Sequence, residues 1–319
     1  MLDFSFQDYD SHITCIDTGL GRPNLAACYL IEHDGRIAII ETGIASTVPR
    51  ILALISERGF RREQVDFVII THVHLDHAGG AGGLMQALPN AKLVVHPRGA
   101  RHMIDPSKLQ AGAIAVYGEA SFRATYGELV PVAGERVVIA DDECVIDFNG
   151  RTLRFIDTPG HARHHFCIYD EFSKGIFTGD TLGIVYPELC RPGENFVMPS
   201  TTPVQFEPET LKTSINRLMT LAPRYFYLTH FGRVDATEGH VLSMHRYIDA
   251  YVDIAVGHAN TENRHQDITD ALIKLTLQEL ASYRSPLSVE KQRQLVAMDM
   301  SINAQGLEVW LDKQQGEQK

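Results

Sequence analysis

The sequence predicts a layered α/β fold with a helical tail, on three observations. Short apolar runs rich in β-branched residues alternate with helical stripes through the first 230 residues. Residue types that hold metals stand just after several of those runs, at the carboxyl ends of strands, where such sheets collect their ligands. Beyond about Thr237 every segment carries a helical pattern. At 319 residues the chain has about two domains' worth of length, taking roughly 150 residues per domain.

The elements follow in order. Ile13–Asp17, residues 28–32 and residues 36–41 are apolar, short and bounded by Gly or Asp, so they read as strands. His33-Asp34-Gly35 is the hairpin turn between the last two. Residues 47–57 place Val48, Ile51, Leu52, Leu54 and Ile55 on one helical stripe. Residues 65–71 form a buried strand, 83–88 a short helix and 92–96 another strand. Residues 97–128 read as a mostly helical insertion over one face. Strands return at 136–139, 144–148, 151–158, 165–169 and 175–178, with Asn149-Gly150 as a hairpin turn. Four prolines without a period make 185–205 a loop. A helix at 207–221 and a strand at 224–229 complete the layered part, and helices follow at 237–256, 264–283 and from 288 to 303 or beyond.

Composition narrows the partners. Lys and Arg number 29 against 40 acids, a net charge of −11, which disfavours nucleic acid and anionic membrane as partners. No run approaches about 18 uninterrupted apolar residues, so no ordinary membrane helix is expected. The first ten residues carry three acids and no basic segment, unlike a secretory signal. Five widely spaced cysteines without a CxxC fit reduced thiols in a cytoplasmic protein acting on a small molecule.

Histidine, at 15 residues, is about twice as frequent as a chain this long usually holds, and the histidines cluster. Thr71-His72-Val73-His74-Leu75-Asp76-His77 is an HxHxDH motif at the end of an apolar strand. Neutral imidazoles and carboxylates suit zinc, and also iron or manganese. Alternate residues of an extended turn share a side, so His72 and His74 converge on one ion while Asp76 and His77 turn toward another. Thr158-Pro159-Gly160-His161, Thr178-Gly179-Asp180 and Leu228-Thr229-His230 each end a further strand in one ligand-type side chain.

In these motifs the sequence resembles the metallo-β-lactamase fold superfamily over roughly residues 10–235, and within it the glyoxalase-II-like metallo-hydrolases. The resemblance implies an α+β fold, a four-layer αββα sandwich with the metals at one edge between the sheets. It implies that His72, His74 and His161 match the first metal site, that Asp76, His77 and His230 match the second, and that Asp180 bridges both. Two zinc ions are the expected cofactors, with iron or manganese as alternatives. Glu41 stands where the family carries an Asp that supports the site from behind its ligands. A metal-bound hydroxide would attack the substrate, with Asp76 orienting it and shuttling a proton.

Relatives can be compared position by position. Flavodiiron-type proteins carry Glu where this chain has His74. Quorum-quenching lactonases place Tyr three residues after the bridging Asp, where this chain has Gly183, although Tyr186 is near enough to substitute. Glyoxalase II proteins read Glu-Tyr-Thr after the last His, against Phe231-Gly232-Arg233 here. Residues 96–129 are similar to a group of glyoxalase-II-like hydrolases without a firm substrate. The expected function is therefore a dinuclear metal-dependent hydrolase of a thioester or other ester bond in a small substrate. The alternatives are a mononuclear iron enzyme like the persulfide dioxygenases, a lactonase, or a non-enzymatic metal-binding scaffold. Degenerate scaffolds lose ligands, whereas all seven stand here.

Other candidate residues stand beside this set. His164 and His165 follow His161 closely and read either as contacts to the site or substrate, or as a loop residue and a strand start. Tyr186 and Arg191 are candidate pocket residues in the loop after Asp180, and Arg163 a candidate anion contact. Gly79-Gly80 and Gly82-Gly83 suit close helix–sheet approach, since no phosphate-binding pattern surrounds them. The expected division is a catalytic domain over 1–235 and a helical extension over 236–319. That extension either caps the site or forms a homodimer.

Overall fold

The computed structural model describes residue 2 and residues 4–317. Residues 1, 3, 318 and 319, at the outer ends of the two expected domains, lie outside that description.

Thirteen strands form among the described residues. The first sheet holds β1 (Phe6–Tyr9), β2 (Ile13–Asp17), β3 (Ala27–His33), β4 (Arg36–Ile40), β5 (Val65–Ile69), β6 (Lys92–Val95) and β7 (Val137–Ile139), in that spatial order. The second holds β8 (Val145–Phe148), β9 (Arg151–Asp157), β10 (Phe166–Asp170), β11 (Gly175–Phe177), β12 (Tyr225–Leu228) and β13 (Gly232–Asp235), in the order β13-β12-β11-β10-β9-β8. Both sheets mix parallel and antiparallel pairs, so the fold is α+β.

The helices are α1 (Val48–Glu57), α2 (Leu75–Ala78), α3 (Ala81–Ala87), α4 (Pro97–Ile104), α5 (Ser107–Tyr117), α6 (Glu119–Tyr126), α7 (Pro208–Met219), α8 (Glu238–Gly257), α9 (Arg264–Tyr283) and α10 (Val289–Glu317). The expected helical insertion is thus three helices, α4 to α6. The first turn of α8 is capped by Thr237, whose hydroxyl oxygen accepts the His240 amide at 3.1 Å.

Contacts divide the chain into two interleaved units. The first takes residues up to Asp157, His164–Gly179 and Pro223–Arg233; the second takes Thr158–Arg163, Asp180–Ala222 and everything from Val234 onward.

In the first unit, strand periodicity makes two cores. Cys28, Leu30, Ile37, Ile39 and Leu93 face α1, α3 and α4, while Tyr29, Ile31, Ala38, Ile40 and Val94 face Phe155, Phe166, Ile168 and Tyr227 of the second sheet. Each such aliphatic side chain contributes roughly 1.5–3 kcal/mol on burial. Tyr29 also donates its hydroxyl to the Leu228 carbonyl at 2.5 Å, and the Ala27 amide donates to the Thr229 carbonyl at 2.8 Å. A buried ion pair, Arg151–Asp170, closes at 2.5 Å with both side chains fully buried. The close approach expected at the glycines is clearest at Gly82, where a Cβ would lie 1.8 Å from the Val130 carbonyl oxygen. Cys15, Cys28 and Cys167 are buried, and none of the five cysteines is joined in a disulfide among the described residues.

Two strands carried no legible pattern. β1 reads Phe-Gln-Asp-Tyr, largely exposed, and exists by pairing with β2 from Phe6↔Ile16 to Tyr9↔Ile13. β13 reads Gly-Arg-Val-Asp at the other sheet's edge.

Candidate metal centre

Chain direction gathers the candidates. β4, β5 and β6 run parallel, so Glu41 and His72 follow strands that end at the same edge of the first sheet. β9 and β11 both run antiparallel to β10, and β12 runs parallel to β11. The segments bearing His161, Asp180 and His230 therefore leave one edge of the second sheet.

In the first unit, His72 Nε2 and His74 Nδ1 face each other at 2.9 Å. Two donors on one tetrahedral ion, each bound at about 2.0–2.1 Å, stand about 3.3 Å apart, so this pair is near a shared-ligand separation. Asp76 Oδ2 lies 3.4 Å from His77 Nε2 and 3.3 Å from His230 Nε2. One ligand atom from each of these three residues falls within 4.8 Å of the other two. Burial pushes the Asp76 carboxyl up, but the imidazoles of His77 and His230 outweigh it and hold it well below the usual carboxylate range.

Glu41 organises the ring nitrogens. It is fully buried, and its backbone takes a left-handed φ of 63°. Its Oε1 accepts His77 Nδ1–H at 2.9 Å, the Thr229 hydroxyl at 3.3 Å and the Thr71 hydroxyl; its Oε2 accepts the Thr71 amide at 3.2 Å. Having given its proton to Glu41, Thr71 Oγ1 accepts His72 Nδ1–H at 3.0 Å. His230 Nδ1–H donates to the Leu25 carbonyl at 2.6 Å. Each of these three imidazoles thus spends its Nδ1 proton on an oxygen and carries its lone pair at Nε2, the tautomer that binds a cation.

In the second unit His161 follows the same rule. Its Nδ1–H donates to the Ser200 carbonyl at 3.2 Å, and its Nε2 lies 3.4 Å from Asp180 Oδ2. This donor chemistry, imidazole Nε2 with carboxylate oxygen, fits a divalent transition metal.

The remaining candidates are placed as follows. The His164 ring stacks on His72 at 6.1 Å and meets His74 edge-on at 5.6 Å, while buried His165 lies 4.8 Å from His72. Tyr186 is fully buried and donates its hydroxyl to Asp299 at 3.1 Å. Arg191 pairs with Glu194 and lies over the Tyr283 ring at 5.0 Å; Arg163 pairs with Glu207 at 2.6 Å. The Cys190 thiol is pushed up by burial. His96 caps α4 by accepting the Arg98 amide at 3.1 Å and donates from Nε2 to Asp157 at 3.0 Å. Sequence reasoning gave no role to Thr71 or Ser200. Thr71 adjoins the motif, whereas nothing near Ser200 signals its contacts.

The comparisons with known proteins agree with this chemistry. A metallo-β-lactamase-fold-containing protein of Sulfurisphaera tokodaii is 26% identical over 242 residues, 74% of this chain and 84% of that one. The crystal structure of that archaeal protein superposes with a TM-score of 0.63 at 20% identity, covering 94% of this chain and 99% of that one. A hydroxyacylglutathione hydrolase of Cupriavidus taiwanensis is 30% identical over 155 residues, 47% of each chain. An atrochrysone carboxyl ACP thioesterase of Aspergillus fumigatus is 28% identical over 130 residues, 41% of this chain. The chain spans only 47% and 30% of the lengths of these last two. The family model of the metallo-β-lactamase superfamily matches residues 21–230, about two-thirds of the sequence, and the chain belongs to that superfamily.

Proposed function

We propose that the chain is a dinuclear metal-dependent hydrolase that cleaves a thioester or other ester bond of a small substrate. One observation carries the reading. His72, His77, His161 and His230 each commit Nδ1–H to an oxygen and so carry the ring lone pair at Nε2, the tautomer that ligates a cation. Relatives described as a hydroxyacylglutathione hydrolase and an ACP thioesterase support hydrolysis at a thioester.

On this reading His72, His74 and His161 hold one ion, Asp76, His77 and His230 the other, and Asp180 both. Zinc suits the donor set, with iron or manganese as alternatives. When bound, such a pair supplies Lewis acidity and a water that ionises near neutral pH. Asp76, kept anionic by His77 and His230 at Oδ2, takes and returns a proton at Oδ1. Glu41 keeps the rings of His72 and His77 in the ligating tautomer. The same reading has a cytoplasmic enzyme acting on small molecules; among the described residues no helix is long and apolar enough to cross a membrane.

Metal analysis of anaerobically purified protein, with turnover on a panel of thioesters, lactones and phosphodiesters, tests the proposal. Two zinc ions per chain with thioester or ester turnover support it. A single iron with oxygen consumption on persulfides overturns it, as does the absence of turnover across the panel.

A further inference from the structure

The C-terminal helix α10 reaches the segment that carries Ser200. Ser200 is buried and serves both candidate ligands of the second unit. Its hydroxyl donates to Asp180 Oδ2 at 3.1 Å, and its carbonyl accepts His161 Nδ1–H at 3.2 Å. Two residues on, the Thr202 hydroxyl stands 3.3 Å from His161 Nε2.

This segment has no helix or strand of its own beyond one bridge. Ile184 and Met198 exchange backbone hydrogen bonds at 2.7 and 2.9 Å. Past that bridge, the backbone is held by α10. The Thr201 amide donates to Asn303 Oδ1 at 2.7 Å, and the Thr201 hydroxyl donates to the Asn303 carbonyl at 3.1 Å. Asn303 Nδ2 returns a bond to the Pro199 carbonyl at 3.1 Å. Thus one side chain fastens the residues on both sides of Ser200. At Gly306 a Cβ would sit 1.5 Å from the Thr201 carbonyl oxygen, so the helix backbone itself abuts the segment. Asp299, which accepts the Tyr186 hydroxyl at 3.1 Å, lies one turn before Asn303.

Asn303 and Gly306 are poor choices for packing alone. They lie among Val296, Met300, Ala304 and Leu307, all fully buried. A buried Asn costs stability unless its amide is satisfied, and Gly in a helix interior is less stable than Ala. Both residues are explained by the chain they grip.

We propose that α10 is a brace for the metal centre, with Ser200, Asn303 and Gly306 as positioning residues that fix Asp180 and His161. This rests on the reading of Asp180 and His161 as metal ligands, and it gives the helical extension a role beyond capping or dimerisation. Losing an outer partner of a ligand typically weakens metal binding 10–100-fold.

The test measures zinc affinity by chelator competition, the visible spectrum of the cobalt-substituted protein, and thermal unfolding of the metal-free form. The variants are Ser200→Ala, Asn303→Ala and Gly306→Ala, with Leu311→Ala as a destabilised control on the same helix and Asp180→Ala as the ligand control. Expected is a roughly 10–100-fold loss of zinc affinity and an altered cobalt spectrum in Ser200→Ala and Asn303→Ala. Gly306→Ala follows them, and Leu311→Ala stays near wild type in both readouts. Wild-type zinc affinity in Ser200→Ala, with loss in Asp180→Ala, overturns the brace and leaves the ligand reading standing. Wild-type affinity in Asp180→Ala overturns the ligand reading itself. If Asn303→Ala does not fold, Ser200→Ala decides alone. Equal weakening in Leu311→Ala reduces the effect to general destabilisation and also overturns the brace.

Discussion

Glu41 accepts the Nδ1 proton of His77 at 2.9 Å, although 36 residues of chain separate them. Three further protons reach the same carboxylate, so the longer side chain at this position does not leave the ligands unsupported. Glu41→Gln keeps the volume but removes the charge and one acceptor. Zinc affinity falls about 10–100-fold. Chelator titration checks this, and an unchanged dissociation constant contradicts it.

Asp180→Ala removes the residue proposed to bridge both ions. Turnover is abolished and the metal content of both sites falls, measured as metal per chain after dialysis against a weak chelator. Wild-type activity in this variant sinks the bridging assignment.

Asp170 and Arg151 form an ion pair shielded completely from solvent, and Arg151 also donates to the Ser11 carbonyl at 2.8 Å. Asp170→Ala leaves a guanidinium buried with no counter-charge. The cost is about 3–5 kcal/mol of folding stability. Urea unfolding of the metal-free protein reads it; a loss below about 1 kcal/mol shows that water or a rearranged carboxylate replaces Asp170.

Burial pushes the Cys15 thiol up to about 12. A free thiol in the unfolded chain titrates near its ordinary value, about 8.5. Between those values the folded state binds more protons than the unfolded one, so stability falls as pH rises. The contribution is intact below about pH 8.5 and is lost toward pH 12, at up to about 1.4 kcal/mol per pH unit. Cys15→Ala flattens the stability profile above pH 9 in urea titrations. Parallel profiles in the two proteins refute the assignment.

What could be read from the chain was whatever repeats locally. The unbroken apolar runs of β3 and β4 announce strands covered on both faces, and HxHxDH places four ligand-type residues within six positions. The short ends at His161, Asp180 and His230 became informative only together. β1 escaped because an exposed edge strand needs no apolar alternation and is defined by its partner. Ser200 escaped for another reason. Its importance lies in bonds to Asp180 and His161, 20 and 39 residues away. The side chain that holds its neighbour Thr201 comes 102 residues later. No periodicity encodes such a contact.

The bond from Tyr29 to the Leu228 carbonyl also has a temporal meaning. Its partners are 199 residues apart. At a synthesis rate of roughly 5–20 residues per second, the second end is made about 10–40 s after the first. Through that interval the first sheet exists without β12, and Glu41 without the Thr229 hydroxyl. The HxHxDH turn is therefore made well before Thr229 and His230, whose side chains meet Glu41 and Asp76.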